Sequence, residues 1–123
     1  IVSECDFVKA VTVSNTIPNG MAYDLNTGKS RITVGYAGIS GPALKPYAIG
    51  NVRQWREYLP GSIAVIGVGG ITTGEDIREF ELAGADAFQV TTELLKGGDL
   101  NAYALEGIAA GYIAGEWPKI AAN

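Results

Sequence analysis

Short apolar segments alternate with longer amphipathic ones along this chain, a pattern typical of β-strands followed by α-helices. The clearest apolar segment is Ile63–Ile66, which has no polar interruption and fits a strand buried on both faces. Because strands alternate with helices, the pattern predicts parallel βα units within one domain, residues 1–123. The predicted strands lie near 7–13, 63–67 and 86–90, and the helical segments near 44–58, 74–83, 92–96 and 100–115, with a glycine-rich excursion at 17–42.

A glycine-rich turn follows the strand predicted at 63–67. Gly69 and Gly70 let the backbone turn sharply and bring its N–H groups near a ligand, so a valine at Gly69 should place a side chain in the ligand site. Thr72 and Glu75 have the spacing of a capping box, which predicts a helix start. A strand, a glycine turn and a helix start together favour an anion such as phosphate. The alternative is an ordinary tight βα turn.

Polar side chains follow the first predicted strand, where ligands bind in parallel α/β folds. Asn15 offers both a donor and an acceptor, and Thr16 offers a hydroxyl, which suits a planar heterocycle carrying carbonyls and ring N–H groups. The alternative is an Asx or ST turn that ends the strand.

Two further loops carry candidate ligand contacts. Gly41 permits close approach of the backbone to a ligand, and Ser40 is placed to cap the helix that follows. Thr91 and Thr92 follow the third strand, and Thr92 is placed to cap a short helical turn. A short extra helix after the last strand holds a phosphate in many barrels.

Composition removes several classes of function. A net charge of −4 without a cluster of basic residues argues against a nucleic-acid surface. No apolar run approaches the ~20 residues that span a bilayer. The absence of histidine removes the commonest general base and most zinc sites, so no metal site is predicted. The single cysteine, Cys5, suits a reducing cytoplasm.

Four motifs occur in a fixed order between about residues 6 and 98. They are Asn15-Thr16, Gly38-Ile39-Ser40-Gly41 leading to Lys45-Pro46, Gly67-Val68-Gly69-Gly70-Ile71, and Gln89-Val90-Thr91-Thr92. In order and spacing they resemble the second half of dihydroorotate dehydrogenases, and the soluble class of that family in particular. The flavin domain of dihydropyrimidine dehydrogenase shares much of the pattern and is the alternative within the same chemistry. Thr91 stands where the family usually has glycine.

The resemblance implies the C-terminal part, about three βα units, of an eight-stranded (β/α) barrel. Such a barrel holds FMN and oxidises dihydroorotate to orotate in cytoplasmic pyrimidine biosynthesis. The family's catalytic base lies outside these residues, so the chain is expected to need an upstream half, a partner chain or a second copy of itself. The resemblance implies that Asn15 and Thr16 hydrogen-bond the pyrimidine and that Ser14 lies beside the flavin. It also implies that the FMN ribityl phosphate is lined by Gly41, Gly69, Gly70, Thr91 and Thr92.

Two other classes of function stay open on the sequence alone. One is a noncatalytic flavin- or phosphate-binding half-barrel that self-associates, and the other is a structural or regulatory domain that binds no ligand. Cys5 is not expected to be the base, because residues before a barrel strand lie at the face away from the ligand. Lys9 and Lys45 are expected to be structural or solvated rather than flavin partners.

The last predicted helix carries an unusual glycine stripe. Gly107, Gly111 and Gly115 recur at every fourth position, and each costs about 1 kcal/mol relative to alanine within a helix. The stripe predicts close packing against another element. The alternative is a looser or shorter helix.

Overall fold

The computed structural model describes residues 4–96 and 101–118, and its centre is a three-stranded parallel sheet. In their order across the sheet, the strands are β1 (Ala10–Thr12), β4 (Ala64–Val68) and β5 (Ala87–Gln89). The helices are α1 (Lys45–Tyr58), α2 (Gly74–Ala83) and α3 (Ala102–Ala114), and short 3₁₀ turns lie at Pro42–Leu44 and Thr92–Leu95. The α/β class and the parallel sheet predicted from the sequence are therefore confirmed.

Strand register brings three loops to one edge of the sheet. Thr12 pairs with Ile66, and Val68 pairs with Gln89, so the three strands end at nearly the same level. Because parallel strands share one direction, the loops that follow them open at the same edge.

The glycine-rich excursion contains structure that the sequence pattern did not predict. Strands β2 (Ile17–Gly20) and β3 (Ala37–Ile39) form an antiparallel hairpin beside the main sheet. The first strand is also shorter than the predicted 7–13, since only Ala10–Thr12 pair with a neighbour as a strand.

The core lies between the sheet and helices α1 and α2. Val52, Val65 and Phe80 are its largest fully buried side chains, one each from α1, β4 and α2. The continuous apolar run in β4 thus reflects burial of the central strand, as expected for a parallel sheet covered by helices. Among the described residues, no helix is long and apolar enough to cross a membrane.

The predicted capping positions require correction. Helix α2 begins with a capping box of Thr73 and Asp76, one residue later than the predicted Thr72 and Glu75. Thr73 has the extended backbone that an N-cap requires, and its Oγ1 accepts a hydrogen bond from the Asp76 N–H at 3.3 Å. The two 3₁₀ turns have Gly41 and Thr91 as N-caps, and neither cap makes a side-chain hydrogen bond, so the caps predicted at Ser40 and Thr92 are wrong.

The glycine stripe of α3 has a mixed outcome. The Gly111 backbone lies against Gly74 of α2, with a Cβ built on Gly111 only 3.6 Å from the Gly74 nitrogen. A Cβ on Gly107 meets nothing within 4 Å, and Gly115 is the C-cap, one position beyond the helix. Close packing against another helix is therefore correct for Gly111 and wrong for Gly107. At Gly115, just past the helix end, a Cβ would overlap the Trp117 ring, so this glycine is also closely packed, but against the residues that follow α3.

Arg56 joins the elements at the opposite edge of the sheet. Its guanidinium donates to the carbonyls of Leu59, Pro60 and Ile63 at 2.8–3.1 Å and to Asp86 Oδ2 at 3.0 Å. The same Asp86 oxygen accepts the Val65 N–H at 2.8 Å. One side chain therefore ties the end of α1 to the starts of β4 and β5.

Replacing Arg56 with methionine is expected to lower the free energy of unfolding by about 2–4 kcal/mol, because several partly buried acceptors lose their donor. The matched control is Arg53→Met, which removes an exposed pair with Glu57 and is expected to cost less than about 0.5 kcal/mol. Denaturant unfolding of both variants measures the difference. Equal effects would contradict a structural role for the Arg56 cluster.

Candidate functional site

A cavity of about 330 Å³ opens where the strands of the parallel sheet end. It is bounded by the loops after β1, β4 and β5 and by the segment that leads into α1. All eight residues that the sequence proposed as ligand contacts line this one cavity, namely Ser14, Asn15, Thr16, Gly41, Gly69, Gly70, Thr91 and Thr92.

The glycine turn after β4 packs directly against the start of α1. Gly70 has φ of +77°, and a Cβ there would lie 2.7 Å from the Gly41 carbonyl oxygen and 3.0 Å from the Lys45 nitrogen. Gly69 has φ of +124°, and its Cβ would meet Ala48 and Leu44. A Cβ at Gly69 would therefore overlap α1 and the 3₁₀ turn before it, so the expectation that it would point into the ligand site is wrong.

The backbone N–H groups near the cavity divide into two sets. Thr72 and Thr73 donate their N–H groups to Asp76 Oδ2 at 2.7 and 2.9 Å. Within the described ranges, no acceptor receives the N–H groups of Gly69, Gly70 and Ile71. The N–H groups of the glycine turn are therefore available to bind an anion, whereas the N–H groups at the start of α2 already bind the Asp76 carboxylate.

Asp76 is the only charged or polar side chain in the buried core of the described residues, with 7% of its surface exposed. Burial alone would raise its pKa, but hydrogen bonds from Lys45, Thr72 and Thr73 hold that pKa at about 2. Lys45 Nζ lies 2.7 Å from Asp76 Oδ1 and 2.6 Å from Glu79 Oε2. The hydrogen bonds with these two carboxylates raise the pKa of Lys45 to about 12.

The lowered pKa of Asp76 predicts acid sensitivity. A carboxyl with a pKa of 3.8 when unfolded and about 2 when folded adds about 2 kcal/mol of stability above pH 3.8, and this is lost as the pH falls toward 2. Asp76→Asn should therefore flatten the fall in unfolding free energy between about pH 4 and pH 2. Denaturant unfolding at several pH values measures this slope, and an unchanged slope in the variant would contradict the assignment.

The loop after β1 contributes Ser14, Asn15 and Thr16 to the cavity lining. Asn15 Oδ1 accepts the N–H of the next residue, Thr16, at 2.7 Å, which is one residue short of the i+2 bond of an Asx turn. The Asn15 amide nitrogen makes no hydrogen bond among the described residues. A Cβ on Gly38 would overlap the Thr16 side chain, so the β3 backbone packs directly against Thr16. Asn51 of α1 donates to Ser14 Oγ at 3.3 Å.

The remaining two contact loops meet across the cavity. Gly41 has φ of +75°, and a Cβ there would be 3.6 Å from Thr92 Cγ2. Thr91 has φ of −134° and ψ of −60°, so its backbone is not in the left-handed region that favours glycine.

Charge around the cavity is sparse. Glu93 is the only charged side chain among the lining residues, and it pairs with Lys96 at 3.2 Å. Cys5 and Lys9 lie before β1, away from the cavity, and Lys45 is held in its ion pairs. The described residues contain no cluster of side chains suited to a metal ion.

These features fit the phosphate end of a flavin mononucleotide. Three adjacent N–H groups without acceptors and the hydroxyls of Thr91 and Thr92 are donors for phosphate oxygens. A volume of about 330 Å³ is at the small end of the range for ligand sites.

Lys45 was expected to be structural or solvated, and its ion pairs agree with a structural role. The sequence did not predict its partner Asp76 at the site, or the contacts of Asn51 with Ser14 and of Gly38 with Thr16. A signal for Asp76 was present, because an aspartate three residues after Thr73 satisfies the same capping pattern as the chosen pair. The others act across distances of more than twenty positions in the chain, which local spacing does not reveal.

The fold and the cavity define an α/β domain with a cavity at the carboxyl ends of its parallel strands. A sequence model of the dihydroorotate dehydrogenase family matches residues 1–109, most of the chain. The chain therefore belongs to the dihydroorotate dehydrogenase family.

Curated relatives agree with this assignment. The catalytic subunit of dihydroorotate dehydrogenase B (NAD⁺) from Methanopyrus kandleri is 44% identical over 84 residues, 68% of this chain and 26% of the relative. Proteins of the same name from Listeria monocytogenes and Listeria welshimeri are 48% and 46% identical over 82 residues, 67% of this chain and 26% of each relative. The chain thus spans about a quarter of the length of these relatives.

Proposed function

We propose that this chain supplies the FMN phosphate site and part of the pyrimidine site of a dihydroorotate dehydrogenase. The observation that carries the proposal is the convergence of eight sequence-selected residues, from four separate loops, on one cavity. The family match supports dihydroorotate as the substrate class.

The proposed roles follow from the donors and acceptors on each side of the cavity. The N–H groups of Gly69 and Gly70, with the hydroxyls of Thr91 and Thr92, bind the phosphate, while Gly41 closes the site from the α1 side. On the opposite side Asn15, Thr16 and Ser14 hold the pyrimidine beside the flavin ring.

In this proposal the chemistry is shared between the cofactor and the protein. Bound FMN supplies the hydride acceptor for oxidation of dihydroorotate to orotate. Asn15 and Thr16 orient the substrate so that its reacting carbon faces that acceptor, and orientation of this kind lowers the barrier. The base that removes the neighbouring proton lies outside this chain.

The chain is proposed to be about three βα units of a (β/α)₈ barrel. Within the described residues, β1 and β5 each pair with β4 on one side only, which leaves two strand edges for further pairing. The remaining three quarters of the relatives' length is enough for the other strands. An upstream segment, a partner chain or a second copy completes the barrel, and we call the completed form the assembled protein.

The experiment that tests this proposal is a titration of the assembled protein with FMN and with riboflavin, followed by flavin fluorescence. Because the proposed contacts are with the phosphate, FMN should bind at least about tenfold more tightly than riboflavin. Equal affinities would contradict the phosphate site, and no binding of either flavin would contradict the proposed function as a whole.

A further inference from the structure

We propose that Lys45 and Asp76 are positioning residues that fix the phosphate-binding wall of the cavity. This inference rests on the proposed function, since it concerns how the glycine turn is held for FMN. Neither residue lines the cavity, so both act through the residues that do.

The two residues connect three segments of the cavity wall. Lys45 is the first residue of α1 and follows the Gly41 loop, and its backbone nitrogen and Cβ face Gly70. Its ammonium crosses to Asp76 on α2 at 2.7 Å. Asp76 in turn accepts from the Thr72 N–H and hydroxyl at 2.7 and 2.9 Å, and Thr72 lines the cavity.

Burial of the Asp76 carboxylate restricts it to one position. The Asp76 side chain is 10% exposed, and Oδ2 accepts three hydrogen bonds while Oδ1 accepts the one from Lys45. A buried carboxylate with four donors has one favourable position, because each unmet donor costs free energy. The segment from Gly70 to Thr73 is therefore held between Lys45 on one side and Asp76 on the other.

Charge gives Lys45 a second effect on the phosphate. Asp76 places a negative charge at the start of α2, next to the turn that is proposed to bind an anion. Lys45, which it shares with Glu79, offsets part of that charge without lining the cavity. Removing the ammonium both loosens the wall and leaves the carboxylate to repel the phosphate, so both effects lower FMN affinity.

The test compares FMN with riboflavin in variants of the assembled protein. Lys45→Met should weaken FMN binding by at least about tenfold and leave riboflavin affinity within about twofold, because riboflavin lacks the phosphate. Lys45→Arg keeps the charge and should recover most of the FMN affinity. Glu79→Gln is the matched control, since Glu79 pairs with Lys45 at 2.6 Å but its carboxylate makes no hydrogen bond with Thr72 or Thr73.

A second variant keeps the test decisive if Lys45→Met fails to fold. Asp76→Glu retains the ion pair but lengthens the side chain by one methylene, so it should shift the Thr72 segment and weaken FMN selectively. An equal loss of FMN and riboflavin affinity in these variants would show a general structural role and overturn the proposal. Unchanged FMN affinity would overturn it as well. Failure of the unaltered protein to bind FMN would count against the proposed function instead.

Discussion

Replacing Gly70 with valine is expected to reduce the FMN affinity of the assembled protein by at least about 100-fold. Gly70 has φ of +77°, a region that a β-branched residue adopts only with strain. Its Cβ would also lie 2.7 Å from the Gly41 carbonyl oxygen and 2.9 Å from Lys45 Cβ. Because the nearest of these atoms belongs to the backbone, the turn itself must move, and the N–H groups proposed to bind phosphate move with it.

The matched control for this variant is Gly107→Ala. Gly107 lies in α3, and a Cβ there meets nothing within 4 Å. The added methyl group should leave FMN affinity unchanged and raise helix stability by up to about 1 kcal/mol. Flavin fluorescence titration with parallel thermal unfolding measures both quantities. FMN affinity within about threefold of the unaltered protein in Gly70→Val would contradict the phosphate placement.

Replacing Asn15 with alanine is expected to weaken orotate binding by about 10- to 100-fold while FMN affinity stays unchanged. Asn15 lines the cavity, and its amide nitrogen has no hydrogen-bond partner in the described part of the chain, so it is available to a pyrimidine carbonyl. The glycine turn and the two threonines proposed to bind the phosphate come from other loops.

Orotate affinity can be read from the change it causes in the flavin spectrum. The control is Asn26→Ala, since Asn26 lies in the turn after Asp24, away from the cavity lining. A variant at Asn15 that loses FMN and orotate affinity together would contradict the separation of the two subsites.

The sequence predicted the parts of this structure that depend on local pattern. The uninterrupted apolar run at Ile63–Ile66 marks a buried central strand, and the spacing of glycine and threonine after it marks a turn and a helix start. The rule that ligands bind where parallel strands end points to the loops after β1, β4 and β5, which carry seven of the eight candidate residues; Gly41 follows β3 of the hairpin and is not covered by that rule.

The features that the sequence did not predict depend on contacts between distant segments. Asp76 and Glu75 are adjacent, and only the extended backbone of Thr73 decides which of them completes the capping box. Which atoms a Cβ on Gly69 would contact depends on where α1 packs, and no local sequence pattern contains that information. The hairpin of β2 and β3 could not be predicted from the sequence pattern, because its short strands contain glycine and proline, which are uncommon in strands.

The most direct test of the central claim is anaerobic mixing of the FMN-loaded assembled protein with dihydroorotate, followed by visible absorption. The proposed function predicts that the flavin absorption bleaches and that one orotate forms for each flavin reduced. A protein that binds FMN but keeps its oxidised spectrum with excess dihydroorotate would contradict the claim and indicate a flavin-binding domain without this activity.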